Sequence, residues 1–210
     1  MAKVISPFGQ ISGKIGPYVF FNRDGQQLVR LRSRKRTRRL SPYEISVRAK
    51  FSLVHKLLGP FMEIIRYTFK SAGTGSPRNN AFKHFYKNII GKYPDIDFDY
   101  ENMLISFGLL YPAQAPKVTL KGTEVIFSWA TNSTDPFSDP ANRCIVVLYC
   151  PKLERCVYTL EGSYRKDGQY SIDAGIFNGN NIETWIAFID KDMKRVSDSV
   201  YTGRFLIPKK

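Results

Sequence analysis

Seven short β-rich runs follow one another from residue 117 onward: VTL, EVIFSWA, RCIVVLYC, RCVYTLEG, QYSIDA, ETWIAFID and SDSVYTGRFLI. Turn signals divide them, among them Asp139-Pro140, Lys166-Asp167-Gly168, Asn178-Gly179-Asn180-Asn181 and Asp190-Lys191-Asp192. Strand-length runs punctuated every ~8 to 12 residues restrict this half of the chain to a β-sandwich. Trp129 lies inside the second run and is expected in its core.

The first half obeys different periods. YVFFN and QQLVRLR flank Asp24-Gly25, a dipeptide suited to a tight hairpin because the turn needs positive φ. On the second strand Leu28, Arg30 and Arg32 share one face, and Val29 and Leu31 the other. Ser41, Pro42 and Glu44 then have the spacing of a capped helix start. Val47, Phe51, Val54 and Leu58 form its buried stripe, and Gly59-Pro60 is expected to end it. A second helix is predicted over 60–70 with Phe61, Ile64, Ile65 and Phe69. A third starts at Ser76-Pro77, buries Ala81, Phe82, Phe85, Tyr86, Ile89 and Ile90, and ends at Gly91. The fold class is α+β, an N-terminal β-hairpin with about three helices followed by the sandwich. Pro112 and Pro116 mark a linker, so the expected domains are a basic hairpin-helix module over 1–110 and a sandwich over 115–210. Residues 115–210 are expected to fold alone.

Charge is concentrated in the first of these. The chain has a formal net charge of +14, and residues 1–100 hold 19 Lys or Arg against 6 Asp or Glu. Residues 30–39 read RLRSRKRTRR, with seven of ten side chains basic. Blocks of like charge are often only solvated tails. This one is internal, lies between a hairpin and a capped helix, and is rich in Arg, whose planar fork suits phosphates. The candidate polyanion-binding residues are therefore Arg30, Arg32, Arg34, Lys35, Arg36, Arg38 and Arg39, with Arg48 and Lys50 on the following helix. Tyr18, Phe20 and Phe21 on the adjoining strand are assigned to packing rather than to stacking on bases.

Other chemistry is not spelled out by spacing. Gly9, Gly13 and Lys14 lack the gap and the Ser or Thr of a phosphate loop. Asp95, Asp97 and Asp99 alternate as in a calcium loop, but Tyr100 and Ser106 stand where Gly and Glu are needed, so a polar strand edge is expected. His55 and His84 are single residues on helices, and no nucleophile-base pair is evident, so neither catalytic residues, metal ligands nor a cofactor are assigned. Three cysteines, Cys144, Cys150 and Cys156, fit neither zinc pairs nor a disulfide framework, and only Cys150 and Cys156 could meet across a turn. Asn132-Ser133-Thr134 has the form of a glycosylation acceptor but reads as a loop. No run approaches the ~18 apolar residues of a membrane span, and the N-terminus has no signal-peptide pattern. A cytoplasmic or virion-associated protein that does not enter membranes is expected.

The strand order, with Trp129 on the second strand and Ile145, Val147 and Tyr149 alternating on the third, resembles a fibronectin type III domain over about 115–207. The whole chain resembles an uncharacterised family of Bacteroidota proteins classed as a domain of unknown function. The matching pieces are ISGKIG (11–16), FFNRDGQQLVR (20–30), RAKF (48–51), SPRNNAF (76–82), IDFDYENMLISFG (96–108) and SDSVYTG (197–203). Its N-terminal pattern is also similar to small proteins of phage and prophage neighbourhoods. The resemblance implies no activity; its phage side implies a mobile-element or virion-associated setting. The expectation is a non-enzymatic binding or assembly protein that contacts nucleic acid or another polyanion, with a protein partner on the sandwich. The alternative is a structural module whose arginines meet an acidic protein surface.

Overall fold

The computed structural model describes residues 2–3, 9, 11–34, 38–131 and 137–209, and the chain forms two compact units, 1–41 and 42–210. The helices and the sandwich strands fall in the same unit, 42–210.

The first unit is a four-stranded antiparallel sheet. Its strands β1 (Ala2–Lys3), β2 (Gly13–Ile15), β3 (Tyr18–Arg23) and β4 (Gln26–Leu31) lie in the order β1-β4-β3-β2. The expected hairpin is β3–β4: Arg23 pairs with Gln26, leaving Asp24 and Gly25 as a two-residue turn with φ of 50° and 73°. Both angles are positive, as the turn matching the strand twist requires, and Gly25 adopts its angle without a Cβ penalty. β2, from the segment GKI, adds a strand beyond the expected hairpin.

In the second unit α1 (Pro42–Thr68) is a single helix of 27 residues with Pro60 inside it. The break expected at Gly59-Pro60 does not occur. An internal proline costs about 3 kcal/mol of helix propensity, but Leu57, Leu58, Phe61, Ile64 and Ile65 are buried on both sides of it, and at roughly 1.5–3 kcal/mol per buried side chain their burial outweighs that loss. The region therefore has two helices, not three. α2 (Pro77–Lys87) starts as expected, Ser76 Oγ accepting from Asn79 N at 3.3 Å. It stops four residues before Gly91 because Asn88 caps it, the side-chain Nδ2 donating to His84 O at 2.9 Å. Ile89 and Ile90 consequently belong to β5 (Ile89–Lys92), which pairs with β6 (Asp95–Phe98).

All seven sandwich strands are present: β7 (Lys117–Lys121), β8 (Glu124–Ser128), β9 (Arg143–Cys150), β10 (Arg155–Thr159), β11 (Gln169–Asp173), β12 (Asn181–Ile189) and β13 (Val200–Leu206). They form a three-stranded sheet, β11-β8-β7, and a four-stranded sheet, β10-β9-β12-β13, a fibronectin type III-like sandwich. Between the sheets lies one core, with Val125, Phe127 and Trp129 facing Cys144, Val146, Leu148, Ile186 and Phe188. Trp129, 6% exposed, packs edge-on against Phe188 with centroids 5.5 Å apart and donates Nε1–H to Arg165 O.

The four-stranded sheet has a second buried face. Ile145, Val147 and Tyr149 of β9 and Trp185, Ala187 and Ile189 of β12 join Phe61, Ile64, Ile65 and Phe85 of the helices in another core. The strands alternate between the two cores residue by residue. The segment expected as a linker is built into this unit too. Met103, Ile105, Leu110 and Ala113 are buried, Leu110 N donates to Val196 O at 3.0 Å, and Arg165 Nη2 donates to Tyr111 O. Gly108 lies so close to Val196 that a Cβ would stand 2.1 Å from its carbonyl oxygen.

A fragment of residues 115–210 lacks cover for Trp185 and its neighbours. It should bind a hydrophobic dye and self-associate, whereas 42–210 should melt in one cooperative transition. A monomeric, dye-silent 115–210 fragment would show that the helices are dispensable.

Candidate functional site

Strand alternation and register sort the side chains of the first unit by charge. Lys14, Val19 and Arg30 lie directly across from one another on β2, β3 and β4, and Arg23 and Gln26 continue that face. The opposite face holds Ile15, Tyr18 and Leu31 in one row and Phe20 and Val29 in the next, with no charged residue among them. Ile15, Tyr18 and Leu31 are 57%, 48% and 67% exposed. Arg32 follows the end of β4, and its amide still donates to Pro17 O at 2.7 Å, so the strand direction is held as far as the basic run.

Arg30, Arg32, Arg34, Arg38 and Arg39 are all exposed. Lys35 and Arg36 lie outside the described residues. The one acid of the unit, Asp24, sits 3.5 Å from Arg23. Arg48 and Lys50 are on α1, exposed and half-buried respectively, and belong to the second unit. The structure thus puts Arg30 on the same face as Lys14, with Val19 between them, and Lys14 is not among the candidates from the sequence. The signal that could have found it was the alternation of Gly13, Lys14 and Ile15, too short a run to mark a strand without its partner β3.

The chemically suggestive groups of the second unit are satisfied by their neighbours. Glu183 is completely buried; its Oε1 accepts from Arg204 Nε at 2.6 Å and its Oε2 from Tyr201 OH at 2.6 Å. Asp190 borders a cleft of about 140 Å³ together with Asn142 and Arg195. Burial pushes its carboxyl up, but the Arg195 and Lys194 amides and the Arg195 side chain outweigh this and hold it below its ordinary value. Asp97 accepts from Phe98 N and Asp99 from both nitrogens of Asn102, so the aspartate series is a polar strand edge as expected.

His84 lies between Phe69 and Phe107, 5.5 and 4.9 Å away, and burial with Lys87 nearby lowers its pKa. Cys150 pairs in register with Arg155, and Cys156 with Tyr149. The two thiols therefore face different cores, all three cysteines are free, and burial pushes Cys144 and Cys156 up to about 12. Asn132, Ser133 and Thr134 lie outside the described residues. Among the described residues no helix is long and apolar enough to cross a membrane.

The Family of unknown function (DUF6266) matches residues 10–203 of the chain, spanning most of the first unit and nearly all of the second. No curated protein matches it.

Arg204 is 58% exposed at its side chain while its partner Glu183 is 1% exposed. Removing the arginine strands a buried carboxylate, so Arg204→Ala should lower unfolding free energy by about 3–5 kcal/mol in urea melts. The double variant Arg204→Ala/Glu183→Gln should recover part of that loss. A loss under about 1 kcal/mol, as for an exposed pair, would show that water replaces Arg204.

Proposed function

Since the chain belongs to the Family of unknown function (DUF6266), its role has to be read from its own residues, and we propose that it is a non-enzymatic binding or assembly protein whose first unit grips a polyanion, with nucleic acid as the ligand. One observation carries this reading. Residues 1–41 hold ten Lys or Arg against a single acid, Asp24, and Arg30, Arg32, Arg34, Arg38 and Arg39 are exposed. Self-repulsion at that density is relieved further when a polyanion lies against it. Arg-rich composition favours phosphates, which the guanidinium fork meets with two parallel hydrogen bonds. Lys14 and Arg30 extend the cationic surface from the basic run onto a hydrogen-bonded sheet.

The likeness of ISGKIG and FFNRDGQQLVR to Bacteroidota proteins and to small phage and prophage proteins supports a mobile-element setting, cytoplasmic or virion-associated. In such an assembly the sandwich would contact protein.

Counterion release supplies the test. Each phosphate neutralised frees condensed cations, so binding weakens as salt rises, with a log-log slope of about −0.9 per contact on duplex DNA. Changing Arg34, Lys35, Arg36, Arg38 and Arg39 to Ser should reduce that slope by roughly 3 to 4. Affinity should fall about equally for all sequences, because phosphate contacts position without specifying. The measurement is a salt titration of both proteins on duplex DNA, single-stranded DNA and RNA. Wild-type binding weaker than about 100 μM to all three at low salt would refute the reading and leave an acidic protein surface as the partner.

A further inference from the structure

Apart from the basic run, α1 and α2 carry a cluster of four rings on their outer side. Phe51 of α1 lies 5.0 Å from Phe82 and 5.3 Å from Tyr86 of α2, measured between centroids. Phe82 stacks on Tyr86 at 5.9 Å with 20° between the planes, and His55, one turn beyond Phe51, lies 5.1 Å from Phe82. Phe82 and Tyr86 are half-buried and pack against the helix core, whereas Phe51 is 45% exposed, so it is the ring of the cluster that solvent reaches.

Cations border the cluster. Arg48 is one turn before Phe51; Arg78 is one turn before Phe82, its Nη2 3.3 Å from His55 Nδ1; Lys83 follows Phe82 directly. All three are exposed. Over 42–58 and 77–87 the sequence holds one acid, Glu44. An ordinary protein-docking patch is depleted of charge at its centre and mixed in sign around it. Here an exposed ring, Phe51, has exposed Arg48 one turn before it on α1 and Arg78 across on α2 beside His55, which fits a partner that is anionic and also offers flat rings.

We propose that this surface is a stacking platform for single-stranded nucleic acid, with a base laid on Phe51 and the flanking phosphates met by Arg48, Arg78 and Lys83. The proposal rests on the polyanion reading and deepens it by assigning a strand form and a second contact region. Bases within a duplex are already stacked on one another, so such a platform discriminates against duplex, and it tolerates any sequence because every base has a π-face.

The test uses the full chain and labelled single strands of about 15 nucleotides, within reach of known single-strand sites. One strand carries mixed bases; the other has the same phosphates and abasic sugars. In fluorescence anisotropy the wild type should bind the base-bearing strand about tenfold more tightly than the abasic one, the scale of one stacked base. Phe51→Ala should abolish that difference and leave abasic binding unchanged, while Phe51→Tyr retains it. The five-residue Ser variant of the basic run should weaken both strands alike. The platform is refuted if the wild type does not distinguish the strands, if Phe51→Ala keeps the preference, or if poly-glutamate competes as well as an oligonucleotide at equal charge. Absence of binding to either strand would instead remove the polyanion reading itself. Phe51 lies outside the buried core, so circular dichroism of its variants should match wild type and Phe51→Ala, which loses the ring contacts to Phe82 and Tyr86, should still melt cooperatively well above the assay temperature.

Discussion

The four-stranded sheet of the second unit is covered on both faces, and the rest of that unit is arranged around this constraint. β9 and β12 send alternate side chains into two cores, so neither the three-stranded sheet nor the helices can be lost without exposing a row of large apolar residues. The continuity of α1 through Pro60 follows from it: a break there would misplace Phe61 and Ile64, which reach the sheet, relative to Val54 and Leu58. The close approach of Gly108 to Val196 and the capture of the 110–113 segment have the same origin. Gly108 brings the crossing against Val196 of the second core, while Ala113 packs into the core between the sheets.

Charge is distributed in a complementary way. Inside the second unit Glu183 and Asp190 each have an arginine and further donors, so the field of these carboxylates is neutralised locally. The first unit has Lys14, Arg23 and Arg30 on one face of a thin sheet and Arg32, Arg34, Arg38 and Arg39 exposed after it, where hydration keeps their cost low. Two kinds of surface result. One pairs its buried carboxylates within the chain and contributes to stability; the other exposes its cations and is where recognition is proposed.

Much of this was legible in the sequence, for identifiable reasons. The Asp24-Gly25 turn, the seven strands and the starts of both helices follow from local chemistry, namely positive φ, strand-length runs and capping residues. What eluded the reading depends on tertiary burial. Gly59-Pro60 looks like a terminator until the apolar residues on both sides share one sheet. Ile89 and Ile90 continue a helical stripe that Asn88 cuts off with its own side chain. The second core was nevertheless written in the contrast between strands: KVTLK and QYSID alternate, as strands with one wet face do, whereas IVVLYC and TWIAFI are continuously apolar. In the site, exposed arginines could be found from composition, but Lys14 needed the register of β2, and the ring cluster of Phe51, Phe82 and Tyr86 needed the helices to be placed side by side.

The doubly covered sheet also sets an order in time. Backbone amides of β9 and β12 are flanked by strands on both sides and by apolar layers above and below, so no fraying motion of limited extent can expose them to solvent. Their protons should exchange with deuterium only through global opening. Amides of β7 and β11, at the borders of the smaller sheet, can be released by partial detachment. Those of the first unit have no fully buried apolar side chain among the described residues to hold them. Isotope exchange should therefore finish first in the cationic sheet and last in the strand that carries Trp185.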